Sequence, residues 1–244
     1  MENLCLIDAD SLIWSASYNR ESIDEIREYL ISKVSTILAD TESNWYRIYI
    51  GGENNFRYHI RKDYKANRKD AEKPTLWSDT KRMLMSEFNA YVVHGAEVDD
   101  CVAATYKKCI DKGTYNPIIA TIDKDYKIKP VKIYKWETHV KETVSMARTF
   151  DISEDEAMLN FAVMLVTGDR GDNILTCKGL GEKGALKRLT GKNKFGMMLE
   201  IARIYKQFYG SARWRARLTE VYMLINLIDD YKRIRTPKEF DFVL

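Results

Sequence analysis

Histidine, cysteine and proline are scarce in this chain, and the shortages close off several classes of function. The three histidines, His59, His94 and His139, are scattered, which argues against a histidine-based catalytic dyad. The four cysteines, Cys5, Cys101, Cys109 and Cys177, are widely spaced and have no histidines at zinc-ligand spacing, so reduced structural thiols are expected rather than disulfides or a metal cage. No apolar run reaches bilayer length, and Met1-Glu2-Asn3-Leu4 lacks the basic segment and apolar stretch of a signal peptide. A cytosolic protein is expected. No Pro/Gly-rich linker or internal repeat interrupts the 244 residues, and their 45% hydrophobic content is enough for a substantial core.

What the chain does have is carboxylates at the ends of apolar runs. Asp8 and Asp10, Glu97-Asp99-Asp100, Asp123 and Asp125, and Asp169 and Asp172 each stand where an apolar run gives way to a polar one. Converging carboxylates repel one another, so a fold that gathers this many needs cations, and hard Mg²⁺ or Mn²⁺ takes oxygen ligands of this kind. Metal-assisted phosphodiester hydrolysis is the chemistry to expect. On a helix starting near Glu97, Glu97 and Asp100 are expected to share a face, with Asp99 pointing elsewhere unless the first turn is distorted.

The elements that would carry these groups can be read from periodicity. Leu4–Ile7, Tyr46–Ile50, Tyr91–Val93, Pro117–Ile122 and Val131–Trp136 read as strands. Ile23, Ile26, Leu30, Val34, Ile37 and Leu38 step by three and four, as on an amphipathic helix, and Glu97–Ile110 also reads as helical. This alternation predicts an α/β fold with a mainly parallel sheet, in which ligands gather beyond the carboxyl ends of the strands. From Asp155 onward the pattern is almost wholly helical, with helices expected near Lys194–Phe208 and Ala212–Ile228. One compact body is expected, with an α/β part over residues 1–155 and a helical part over 156–244.

Net charge is only +3, but the positive charge is concentrated. Arg57–Arg82 holds nine Lys or Arg against four Asp or Glu, and Lys178–Arg217 holds eleven against two. Basic segments beside an acidic site suit a polyanion whose backbone is held by cations. The first segment has little continuous apolar face, so residues of about 56–86 are expected to form an insertion over the site. The second opens on Lys178-Gly179-Leu180-Gly181-Glu182-Lys183-Gly184, a Gly-rich turn into a helix, where backbone N–H groups can approach a phosphate. It lacks the spacing of a nucleotide-triphosphate loop.

Five of these segments occur in an order that resembles the flap endonuclease and 5′→3′ exonuclease family, its bacteriophage branch above all. They are Ile7-Asp8-Ala9-Asp10; Phe56-Arg57 with Asp63-Tyr64-Lys65-Ala66-Asn67-Arg68-Lys69; Gly95-Ala96-Glu97-Val98-Asp99-Asp100; Asp123-Lys124-Asp125; and Gly168-Asp169 to Asn173 with Gly179-Leu180-Gly181-Glu182-Lys183. The resemblance covers residues from about 5 to 190. It implies a PIN-like nuclease core, a helical arch over the active site, and a helix-3-turn-helix that grips duplex DNA, often with K⁺. It also implies two Mg²⁺ or Mn²⁺ ions on Asp8, Glu97, Asp99, Asp100, Asp123, Asp125, Asp169 and Asp172.

By the same resemblance, Lys65 and Arg68 would act on the scissile phosphate, and Arg57, Tyr64, Lys69, Gly179, Gly181, Lys183 and Gly184 would contact DNA, Tyr64 by stacking on a base. The implied partners are DNA with 5′ ends, flaps or nicks, and RNA–DNA hybrid; a monomer is expected. One departure stands out. Many members carry an Asp at the end of the strand before Phe56, where this chain has Gly51-Gly52-Glu53. Either Glu53 substitutes from a shifted position or the site has one carboxylate fewer. Asp10 is left outside the implied ligand set, since its place is not acidic in many relatives. A PIN-type ribonuclease and a catalytically impaired DNA-junction binder remain as alternatives.

Overall fold

A computed structural model describes residues 1–68, 71–140 and 143–230. Its centre is a six-stranded sheet in the order β3-β2-β1-β4-β5-β8. The strands are β1 (Asn3–Asp8), β2 (Trp45–Gly51), β3 (Tyr91–Val93), β4 (Asn116–Ala120), β5 (Lys132–Lys135) and β8 (Arg148–Asp151). All pairings are parallel except that of β5 with β8. The order reverses between β1 and β4, with β2 on one side and β4 on the other, and such a switch point opens a crevice at the strand carboxyl ends.

Helices cover both faces, which is why β1 and β4 are apolar almost throughout. On one face lie α1 (Asp10–Ser17), α2 (Ile23–Asp40) and α4 (Trp77–Glu87), burying Leu12, Ile26, Leu30, Ile37, Met83 and Leu84. α2 begins at Ser22, whose side chain accepts from the Glu25 N–H at 3.2 Å. On the other face lie α5 (Val98–Lys112) and the carboxyl-terminal helices α6 (Glu154–Thr167), α7 (Glu182–Leu189) and α8 (Lys194–Ile225). Ser153 and Glu156 start α6 with a reciprocal capping box. α8 breaks at Gly210, with φ +71° and ψ 169°, so the two helices expected there are both present, joined at a kink. Among the described residues no helix is long and apolar enough to cross a membrane.

Three features differ from the sequence expectation. β8 and the ribbon β6 (Thr138–Val140) with β7 (Thr143–Ser145) add antiparallel pairing that periodicity did not signal. The stretch expected as an insertion is divided: α3 (Arg57–Ile60) and a 3₁₀ turn at Ala66–Arg68 lie by the strand ends, whereas α4 packs Thr80, Met83 and Leu84 into the core. A short ribbon, β9 (Gly168–Asp169) with β10 (Ile174–Leu175), carries Asp172 in its turn. Gly168 has φ +73°, and a Cβ there would lie 2.0 Å from the Ile174 carbonyl oxygen, so only glycine fits.

Candidate active site

The strand ends open into a cavity of about 650 Å³, and carboxylates from separate parts of the chain meet on its wall. Asp8 comes from the end of β1, Asp10 from the first turn of α1, Glu97 and Asp99 from the β3–α5 junction, and Asp123 from the loop after β4. Lys65, Arg68 and Lys124 line the same cavity. Asp125, Asp169 and Asp172 adjoin it. The Asp125 N–H donates to Asp123 Oδ1 at 2.9 Å, Lys124 Nζ lies 3.2 Å from Asp169 Oδ2, and Arg68 Nη2 lies 2.5 Å from Asp172 Oδ1.

Lys65 is ion-paired with Glu97 and lies 3.5 Å from Asp172 Oδ2. It is one of the non-glycine residues with positive φ, at 53°, and its N–H donates to the Asp172 carbonyl at 3.0 Å. The backbone strain of that conformation is accepted where the surrounding structure fixes it, and it fastens the basic segment to the β9–β10 turn. Burial opposes the charge on Lys65, but Glu97, Asp172 and Asp99 outweigh it and hold the pKa above the ordinary lysine value.

The carboxylates themselves are short of positive charge. Burial, then Asp10 and Asp123, push Asp8 up to about 8, against a hydrogen bond from the buried Tyr126 hydroxyl at 3.0 Å. Burial, then Asp123, Asp169 and Asp172, push Asp125 up to about 7, and its Oδ1 is buried with no hydrogen-bond partner among the described residues. Asp99 is raised well above the carboxylate range by burial, Glu97 and Asp100. Asp10 is open to the cavity, yet the protein around it raises its carboxyl; Glu97 adds to the rise, and the Gly51 N–H, Lys81 and Lys65 oppose it. An orphaned buried oxygen within an all-oxygen donor set fits a hard divalent cation. Among the described residues, no three such donors already surround one point as a closed cage.

Several residues sit differently from the sequence expectation. Asp99, not Asp100, lines the cavity with Glu97, because Glu97 lies before the first turn of α5 in extended conformation and the helical spacing does not apply to it. Asp100 is fully buried and bound by both of its oxygens to Arg57, whose Nη2 lies 2.9 Å from Oδ1. The remaining lone pairs of Asp100 accept from the Glu97 and Ile228 N–H groups at 3.1 and 2.9 Å. Arg57 is 0% exposed and also donates to the Leu224 and Asn226 carbonyls at 2.8 and 3.1 Å. Neither residue faces the cavity, so Arg57 is no surface contact for DNA and Asp100 no donor to an ion there.

Tyr64 is 1% exposed, and its hydroxyl lies 2.9 Å from Glu97 Oε2 and 2.7 Å from Asp172 Oδ2. It positions two carboxylates and has no free face for a base. Lys69 lies outside the described residues. Gly179, with φ +88°, and Gly181 are exposed on the turn into α7, and Lys183 is exposed in the first turn of that helix. Gly184 lies inside α7, where a Cβ would come within 3.0 Å of Leu180 Cδ1; it serves helix packing rather than an exposed surface.

Glu53 is exposed and off the cavity wall, so it does not supply the carboxylate missing at the end of β2. The neighbouring Gly52 has no room for a side chain: a Cβ would lie 2.4 Å from the Val93 carbonyl oxygen. The sequence reading also missed Lys124 and Tyr126 as partners of Asp169 and Asp8. Their signal is position, since one stands between Asp123 and Asp125 and the other directly follows them.

No family model matches the chain. Among solved structures it is similar to bacteriophage T5 flap endonuclease in complex with DNA product and metal ions, with a TM-score of 0.74, 18% identity, and coverage of 94% of this chain and 90% of that one. It is also similar to the catalytic core of Rad2 with a DNA substrate, with a TM-score of 0.51, 15% identity, and coverage of 99% and 81%. Human GEN1 with Holliday junction DNA gives a TM-score of 0.52 and 13% identity over 99% and 64% of the two chains. The T5 neighbours are named as a flap endonuclease and a 5′-exonuclease, and the chain has the fold of the T5, Rad2 and GEN1 proteins.

Proposed function

We propose that this protein is a metal-dependent, structure-specific 5′ nuclease that hydrolyses DNA phosphodiester bonds. The observation that carries this reading is the convergence of Asp8, Asp10, Glu97, Asp99 and Asp123 on one cavity whose rim holds Lys65 and Arg68. The fold shared with T5 flap endonuclease and Rad2, both solved with DNA, supports it.

Two divalent ions, Mg²⁺ or Mn²⁺, on Asp8, Glu97, Asp99, Asp123, Asp125, Asp169 and Asp172 would supply Lewis acidity at the phosphate and a lowered pKa for the attacking water. The chain's own residues do the rest. Tyr64 and Tyr126 hold Glu97, Asp172 and Asp8 by their hydroxyls, so the donors are oriented before substrate arrives. Lys65 and Arg68 neutralise charge building on the non-bridging phosphate oxygens, at the cost of loosening their pairs with Glu97 and Asp172. The exposed residues Gly179, Gly181 and Lys183 offer backbone N–H groups and a cation to a duplex phosphate; K⁺ would need the carbonyl oxygens of the same turn.

The test uses 5′-flap, nicked, blunt and single-stranded DNA, each labelled at either end, with RNA and RNA–DNA hybrid versions of the flap, in Mg²⁺, Mn²⁺ or EDTA. Metal-dependent cutting near the junction or from the 5′ end is expected. Cutting of RNA alone would recast the protein as a ribonuclease; tight binding without product in any metal would make it a junction binder.

A further inference from the structure

Asp10 has the geometry of a side chain belonging to the neighbouring strand. The parallel register pairs Asp8 with Tyr49; β1 ends there, and Asp10, the first residue of α1, comes within hydrogen-bond reach of Gly51, the last residue of β2. The Gly51 N–H donates to Asp10 Oδ1 at 2.8 Å. A Cβ built on Gly51 would lie 3.0 Å from Asp10 Oδ2 and 3.6 Å from its carboxyl carbon. The Asp10 carboxylate therefore lies directly against the position that a Cβ at residue 51 would take. Among the described residues Oδ2 accepts no hydrogen bond, and Asp10 lines the same cavity wall as Asp8, Glu97, Asp99 and Asp123. On the outer side Lys81 donates to the Gly51 carbonyl, which anchors this strand end from α4.

We infer that Asp10 is a further ion-binding carboxylate of the active site, delivered from α1 into the place of a side chain at the end of β2. The inference rests on the metal-dependent reading of the cavity. Glycine at position 51 leaves room for this carboxylate, against which a Cβ would press at 3.0 Å. Asp10 Oδ1 stays with the Gly51 N–H, and Oδ2 binds the ion. This arrangement ties ion binding to the β1–β2 pairing.

The test is Mn²⁺ binding by the full chain, followed by electron paramagnetic resonance of the free ion and by calorimetry, so that it does not depend on turnover. Asp10→Asn keeps an oxygen for the Gly51 N–H and removes the charge. Its melting temperature should stay near that of the parent, while Mn²⁺ affinity at one site falls by about tenfold or more. The double variant Asp10→Ala with Gly51→Asp returns a carboxylate to the same space from the other strand and should recover most of that affinity.

Unchanged Mn²⁺ binding in Asp10→Asn, with loss in Asp123→Asn, would overturn the inference and leave the metal-dependent reading standing. A parent protein that binds no Mn²⁺ would remove both. Should the double variant fail to fold, as judged by circular dichroism, the single-variant titration decides alone.

Discussion

The two sides of the β3–α5 junction are built from the same residue types and behave in opposite ways. On the front, Glu97 and Asp99 face the cavity with Asp8, Asp10 and Asp123, and three of the five, Asp8, Asp10 and Asp99, have raised pKa values. On the back, Asp100 and Arg57 form a doubly hydrogen-bonded pair at 0% exposure, with the carboxylate also taking two backbone N–H groups and the guanidinium reaching two carbonyls near the end of α8. A satisfied ion pair of this kind joins the start of α5, α3 and the carboxyl-terminal segment. The front is the reverse: a concentration of negative charge incompletely matched by lysine and arginine. One residue of helix separates an oxygen available to a ligand from one committed to the fold.

Removing charge from the front should have the largest effect on chemistry. Asp123→Asn is expected to lower the cleavage rate by about a thousandfold or more, equivalent to about 4 kcal/mol of transition-state stabilisation, with DNA affinity changed only a few-fold. Single-turnover kinetics and a filter-binding titration measure the two. Near-normal cutting in Mg²⁺ would count heavily against the proposed ligands.

Breaking the back should act on stability instead. Arg57→Ala strands a buried carboxylate and is expected to cost about 3–5 kcal/mol, read as a shift in the urea midpoint. An Arg57→Ala protein of parental stability with weakened DNA binding would erase the distinction between the two sides.

Lys65→Ala is expected to be smaller than the loss of Asp123, slowing cleavage by about a hundredfold while weakening binding much less. Equal losses in rate and affinity would make Lys65 an ordinary backbone contact.

The smallest effect sharpens the electrostatic contrast. A carboxyl raised in the folded state, as Asp8 is from 3.8 to about 8, binds more protons folded than unfolded across that range. Its contribution to stability is full below the unfolded value and is lost as pH rises through the folded one. The metal-free protein should therefore melt at a lower temperature as pH rises from about 4 to about 8, and Asp8→Asn should flatten that slope. An unchanged slope in Asp8→Asn would contradict the assignment.

Much of the frame was legible in the sequence because burial leaves a strong mark. Leu4–Ile7 and the stepped apolar set from Ile23 to Leu38 sit inside β1 and α2. β8 and the β6–β7 ribbon were not legible, since strands of three or four residues are too short for a periodic signature, and β7 and β8 are largely exposed. In the site, residue type pointed to segments that the fold brings together around one cavity, and missed which way individual side chains face. Arg57 and Tyr64 sit in a basic, aromatic stretch that reads as a DNA surface, yet both are buried against carboxylates. Asp99 and Asp100 exchange roles because Glu97 is extended rather than helical. The position of Asp10 depends on contact between the start of α1 and the end of β2, and its one trace in the sequence is the missing side chain at Gly51.

The most direct measurement of the central claim is single-turnover cleavage of a 5′-labelled flap by EDTA-treated protein as Mg²⁺ is raised from zero. The account predicts no product without the ion, product that appears with rising Mg²⁺, and loss of that response in Asp123→Asn. Cutting that persists undiminished in EDTA, or none at any concentration of Mg²⁺ or Mn²⁺, would contradict it.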